Sequence, residues 1–94
     1  MGKIHKFGHI VELSKYDFQL LSKNMMISAL YDDYLKTAKH DGEIVKLSLT
    51  LKELEELTGA VAAESNHATS RRKQEEFGAI CDYFEDCIDT IMRR

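Results

Sequence analysis

Two stretches of the chain repeat one order of residue types, and each announces an extended run that turns directly into a helix. Ile10-Val11-Glu12-Leu13 and Ile44-Val45-Lys46-Leu47-Ser48-Leu49 carry apolar residues at period two, the pattern of a short strand with one face buried. Each run ends on a hydroxyl followed three residues later by an acid, Ser14-x-x-Asp17 and Thr50-x-x-Glu53. This is the capping-box pattern, in which the hydroxyl accepts from an orphan amide of the first turn and the acid reaches back to the cap. The echo fits two similar strand-helix units, with the strands parallel in one small sheet and joined by a right-handed crossover. The simpler reading is two unrelated helix starts, because capping boxes after extended leads are common.

The first helix is expected from about Lys15 to Ala38, stopping at Asp41-Gly42, where glycine can take the left-handed cap conformation. At about 100° per residue this helix is apolar on two sides. Phe18, Leu21, Met25 and Ala29 form one stripe, and Leu20, Ile27, Tyr31, Tyr34 and Ala38 form another nearly opposite. Such a helix either sits centrally among its own neighbours or gives one stripe to a partner. The second helix follows Thr50 and runs to about His67, with Leu54, Leu57, Val61, Ser65 and Ala68 on one face. A turn at Ala68-Thr69-Ser70 leads to a third, capped by Ser70, whose stripe of Phe77, Ile80, Cys81, Phe84, Ile88 and Ile91 is the most regular in the chain. Folding these two helices back on each other brings Gly59 level with Gly78 and Glu64 level with Lys73, which predicts a close backbone approach at the glycines.

Ninety-four residues with 44% hydrophobic content and no Pro make one domain, residues 1–94, with a single core that buries roughly two-thirds of the unfolded surface. The expected fold is mainly α: three helices with a C-terminal antiparallel helical hairpin and a small two-stranded sheet, an α+β arrangement, or alternatively an all-α bundle. No run approaches the roughly 20 apolar residues that span a bilayer, and Met1 to Ile10 has no apolar signal-peptide core, so a cytoplasmic protein with no membrane partner is expected. Gly2 lacks the hydroxyl at position six that a myristoylation signal needs, since Lys6 stands there. Cys81 and Cys87, about 9 Å apart along one helix, lie beyond disulfide reach and read as reduced thiols.

Little in the pattern points to chemistry. Glu64-Ser65-Asn66-His67 has the Glu-x-x-His spacing of di-iron bundles, but both side chains fall well off the buried face, so a surface salt bridge from Glu64 to Lys73 or Arg72 and a solvated His67 are expected. His5-Lys6-Phe7-Gly8-His9 offers two imidazoles without a cysteine or carboxylate partner at ligand spacing. Cys81 reads as a small buried hydrophobe, and Cys87 lies beside Asp86 and near Asp89, the wrong electrostatic setting for a thiolate nucleophile. The five glycines are isolated, which excludes a phosphate loop and a nucleophile elbow. The chain is accordingly read as a non-enzyme with no cofactor and no metal.

Two surfaces remain. Ile27, Leu30, Tyr31 and Tyr34 combine apolar area with polar tips, the composition of interface centres. Asp82, Glu85, Asp86 and Asp89 make an acidic stripe on the last helix, suited to a basic partner. With 13 Lys+Arg against 16 Asp+Glu the net charge is −3, a poor footprint for binding nucleic acid. The functional expectation is a small protein-binding module, a homodimer, acting as an accessory or inhibitory regulator through helix-mediated contacts and its acidic face, of the kind encoded by bacteria or mobile elements. The alternative is a nucleic-acid-binding regulator that uses Arg71, Arg72 and Lys73 at the start of the last helix; Arg93 and Arg94 at its end complement the helix dipole.

Overall fold

The computed structural model describes residues 8–93. Strand β1 (His9–Ser14) leads into helix α1 (Lys15–Lys23), which is followed by α2 (Met25–Leu35), a strand hairpin of β2 (Lys39–Asp41) and β3 (Ile44–Leu49), and the long helices α3 (Leu51–His67) and α4 (Arg71–Met92). The fold is mainly helical α+β, with four helices and a three-stranded antiparallel sheet in the order β1-β3-β2 among the described residues.

Both hydroxyls cap their helices as the sequence predicts, but the acid reaches back only at Thr50; no bond from the Ser14 amide to Asp17 forms. The Ser14 hydroxyl accepts from the Asp17 amide at 3.1 Å, and at Thr50 the box is complete, with the Glu53 amide donating to the Thr50 hydroxyl and the Glu53 carboxylate accepting from the Thr50 amide. The strands before them are not parallel. β1 pairs antiparallel with β3, His9 opposite Leu49 through Ser14 opposite Ile44, so no crossover joins them. The intervening helices return the chain through β2, a hairpin neighbour of β3, and that extra turn reverses the direction of β3 relative to β1. Gly42 belongs to this hairpin and not to a helix end. Its φ of 63°, followed by Glu43 on the ordinary side, fits a two-residue type II′ connection, in which the first central residue must tolerate positive φ.

The expected single helix from Lys15 to Ala38 is two helices. Asn24 stands between them in extended conformation, φ −73° and ψ 124°; its amide donates to the Leu21 carbonyl, closing α1, and its side-chain oxygen accepts from the Ile27 amide at 2.8 Å, capping α2. The break resets the helical phase. Leu20, Leu21, Ile27 and Leu35 are buried, Tyr31, Tyr34 and Ala38 pack half-buried on the core, and Met25 and Ala29 turn to solvent. A further kink sits at Tyr31, φ −126° and ψ 25°.

One face of the sheet, carrying Val11, Leu13, Leu47 and Leu49, packs on Leu54, Leu57 and Val61 of α3 and Phe77, Ile80, Cys81 and Phe84 of α4 in one cluster. The α3–α4 hairpin forms as expected: the Ser65 hydroxyl donates to the Gln74 carbonyl at 2.9 Å, and the Gln74 side chain donates to the Ala68 carbonyl across the turn. The glycines do not meet. A Cβ at Gly59 would touch nothing within 4 Å, whereas one at Gly78 would lie 3.5 Å from the Ser65 hydroxyl. Gly59 lies between Leu57 and Val61 on the exposed side of α3, outside the seam.

Candidate functional site

Among the described residues, two grooves and two chemically distinct surfaces stand out. The first groove, about 620 Å³, lies where the end of α1 and the start of α2 meet the α3–α4 turn; Tyr16, Lys23, Met25, His67, Lys73 and Phe77 are among its walls. Three of its polar groups, Asn24, Glu64 and Tyr16, already have side-chain partners. Glu64 accepts from the Asn24 side-chain amide at 2.8 Å, where a surface bridge to Lys73 or Arg72 was expected, and the Tyr16 hydroxyl donates to Glu76, which also takes Arg72 at 3.4 Å. The hydrogen bond to Glu76 raises the Tyr16 phenol, and the same bond lowers the Glu76 carboxyl. His67 stays exposed, so Glu64 and His67 share a groove wall without forming a ligand pair. Among the described residues no three His, Cys, Asp or Glu side chains converge as a metal-binding group. Of the two N-terminal imidazoles, His9 is half-buried in β1, while Gly2, His5 and Lys6 lie outside the described residues.

The second groove, about 630 Å³, runs between β1 and the C-terminal half of α4, walled by His9, Ile10, Val11, Tyr83, Asp86 and Cys87, with Thr90 and Ile91 beyond. Burial first, and then Cys87 beside it, pushes the Tyr83 phenol up to about 12. Cys81 is buried in the core, where burial and then the Glu85 and Asp82 carboxylates raise its thiol. That is the inert setting expected of it. Both cysteines are free.

The interface residues read from the sequence separate into two groups. Ile27 is fully buried and presents nothing to a partner; Tyr31 and Tyr34 pack on the core and on each other with ring centres 5.4 Å apart, and the Tyr34 hydroxyl donates to Glu56 on α3 at 2.6 Å. Only Leu30 remains outside, 64% exposed. It joins Met25 at 86% and Met26 at 55% on the solvent side of α2, an apolar ridge that sequence periodicity missed because the phase was carried through Asn24. The Asn itself, a preferred cap residue placed before an apolar run, was the available signal.

Asp82, Glu85, Asp86 and Asp89 are all exposed on α4, and Asp89 is held by Arg93 at 2.7 Å. Arg71, Arg72 and Lys73 are exposed at the other end of the same helix. Arg71 pairs with Glu75 at 3.5 Å and Arg72 with Glu76, so two of the three cations already face carboxylates one turn along. No helix among the described residues is long and apolar enough to cross a membrane. Comparison of the chain with protein-family models, with curated proteins and with solved structures gives no match.

Proposed function

We propose that the chain is a non-enzymatic protein-binding module, a homodimer that serves as an accessory or inhibitory regulator by offering its acidic α4 face to a basic partner. The observation that carries this is the ridge of Met25, Met26 and Leu30 on α2, three large apolar side chains more than half exposed on a helix whose other side is core. Clustered exposed apolar area of this kind marks association sites, and methionine, flexible and polarizable, adapts to the surface it meets. A single helix face suits a two-fold contact, because the symmetry brings the same patch from both copies. The carboxylates of Asp82, Glu85 and Asp86 remain free for the basic partner, where complementary charge speeds encounter and sets specificity.

Sedimentation velocity tests the dimer. The protein is expected at twice the chain mass in the tens of micromolar, roughly the range a modest helix-face contact supports. Met26→Lys with Leu30→Lys is expected to sediment as one chain with its fold intact by circular dichroism. A native protein that sediments as one chain throughout that range contradicts the dimer.

A further inference from the structure

β1 has a backbone edge that no strand among the described residues occupies. The sheet order places β3 on one side of β1 and no other described strand on its far side. The phase of the ladder follows from one bond beyond the strand ends, where the Lys15 amide donates to the Glu43 carbonyl at 2.8 Å. In an antiparallel pair, opposed residues alternate between those that exchange hydrogen bonds and those that do not. Lys15 and Glu43 continue the register of β1 with β3, so His9, Val11 and Leu13 turn their amides and carbonyls toward β3. Ile10, Glu12 and Ser14 turn theirs outward. The stretch of edge along Gly8 to Val11 lies beside the second groove, with Tyr83 among its walls.

The walls of that groove say what fits. An added strand would lie about 4.8 Å from β1, with alternate side chains on opposite faces. The groove offers apolar surface on Ile10, Cys87 and Ile91, and its charged wall residue is Asp86, with Asp82 one turn before it on α4. These carboxylates are about 6 Å apart along the helix axis, close to the roughly 7 Å between same-face side chains of a strand. A second copy pairing edge to edge would bring two such acidic walls together, whereas an alternating cationic segment neutralises one.

Resting on the reading of the chain as a protein-binding module, we propose that the groove between β1 and α4 receives an extended cationic segment of a partner protein. The segment adds to the sheet at the free edge of β1, its alternate Lys or Arg side chains turning to the α4 face to meet Asp82 and Asp86, with their alkyl stems over Cys87 and Ile91, and its intervening apolar side chains turning to the opposite face beside Ile10. This is strand addition, in which main-chain hydrogen bonds give affinity and alternate side chains give selectivity.

The test uses blocked synthetic octapeptides: alternating Lys and Val, the same peptide with Glu in place of Lys, and a Lys-Val peptide interrupted by Pro. Binding is read from backbone amide resonances and hydrogen exchange of the full chain. The Lys-Val peptide is expected to shift the amides of residues 8–11 and 83–91 and to slow exchange at Ile10. Asp82→Asn with Asp86→Asn is expected to weaken it about fivefold, as loss of exposed charge pairs does. Ile10→Pro removes an outward amide without touching the ladder to β3, a substitution edges tolerate, and is expected to abolish the shifts while the thermal midpoint holds. If Ile10→Pro unfolds, the asparagine pair and the Ile10 exchange rate decide. Equal binding of the Glu-Val or Pro-interrupted peptide, or no shift in β1 at about 1 mM Lys-Val peptide, the weak end of specific binding, overturns the proposal. So does protection of the Ile10 amide that grows with protein concentration alone, which would assign the edge to a second copy. Repeating the titration on Met26→Lys with Leu30→Lys separates this result from the fate of the α2 dimer.

Discussion

Asn24 does more than any other single residue to shape the first half of the molecule. Its backbone amide closes α1, its side-chain oxygen caps α2, and its side-chain amide donates to Glu64 on α3. Replacing it with Ala removes a cap and leaves a partly buried carboxylate without its donor, so Asn24→Ala should destabilise the protein by about 1 to 2 kcal/mol in urea unfolding. Asn24→Asp keeps the cap and places a carboxylate against Glu64, and should recover little. Equal stability of the Ala variant and the native chain would contradict this account of the break.

The tyrosines carry a pH signature. The hydrogen bond to Glu56, then burial, raises the Tyr34 phenol to about 12, against about 10 for the unfolded chain. The neutral phenol is therefore favoured by folding. This contribution is complete below pH 10 and is lost between pH 10 and 12, where the unfolded chain releases its proton first and stability falls. Glu56→Gln, which keeps an acceptor but removes the charge, should bring the ionisation of Tyr34 down toward 10 in an ultraviolet titration, with Tyr34→Phe identifying the affected phenol. An unchanged titration would mean that the hydroxyl does not sit on Glu56 in solution.

At the scale of elements, what the sequence made legible was local and self-contained. The caps at Ser14, Thr50 and Ser70, the period-two strands and the regular stripe of α4 each depend on neighbours within four residues, and each is found. Some of what failed needed non-local information. The phase of Tyr31 and Tyr34 depended on whether the helix ran through residue 24; Asn24 before an apolar run is a local cap signal, and its bond to Glu64, forty positions away, supports the break from outside the helix. Strand direction depended on β2, three residues with no buried side chain and hence no periodic trace. The supposed meeting of glycines failed because level positions in a hairpin still need to share a face. Two substitutions separate the roles of glycine here. Gly42 holds positive φ in its turn, so Gly42→Ala should cost about 1 kcal/mol even though the space beside it is open. Gly59 is helical with nothing near, so Gly59→Ala should stabilise by up to about 1 kcal/mol. Thermal melts of the two variants should move in opposite directions, and a shared direction would refute the assignment.

For the whole molecule, the α2 ridge and the acidic half of α4 are separate surfaces. Three of the most exposed apolar side chains, Met25, Met26 and Leu30, gather on α2, carboxylates occupy the C-terminal half of α4, and Arg71 and Arg72 at the start of α4 are tied into intrahelical pairs. In the proposed arrangement the α2 ridge joins two copies and leaves both acidic grooves facing outward for partners. The acidic stripe was legible from sequence because charge spacing alone defines it; the ridge was not, because two methionines and a leucine at helical spacing resemble core until the phase is known. The central claim, that the ridge is covered by a second copy, is tested most directly by methyl resonances of the methionines across a dilution series from about 1 mM to 10 μM, the span over which a contact of this size dissociates. Met25 and Met26 should shift with concentration in a single binding curve while Met92, also exposed but on α4, stays fixed. Methyl signals of Met25 and Met26 that do not move over that range would contradict the claim.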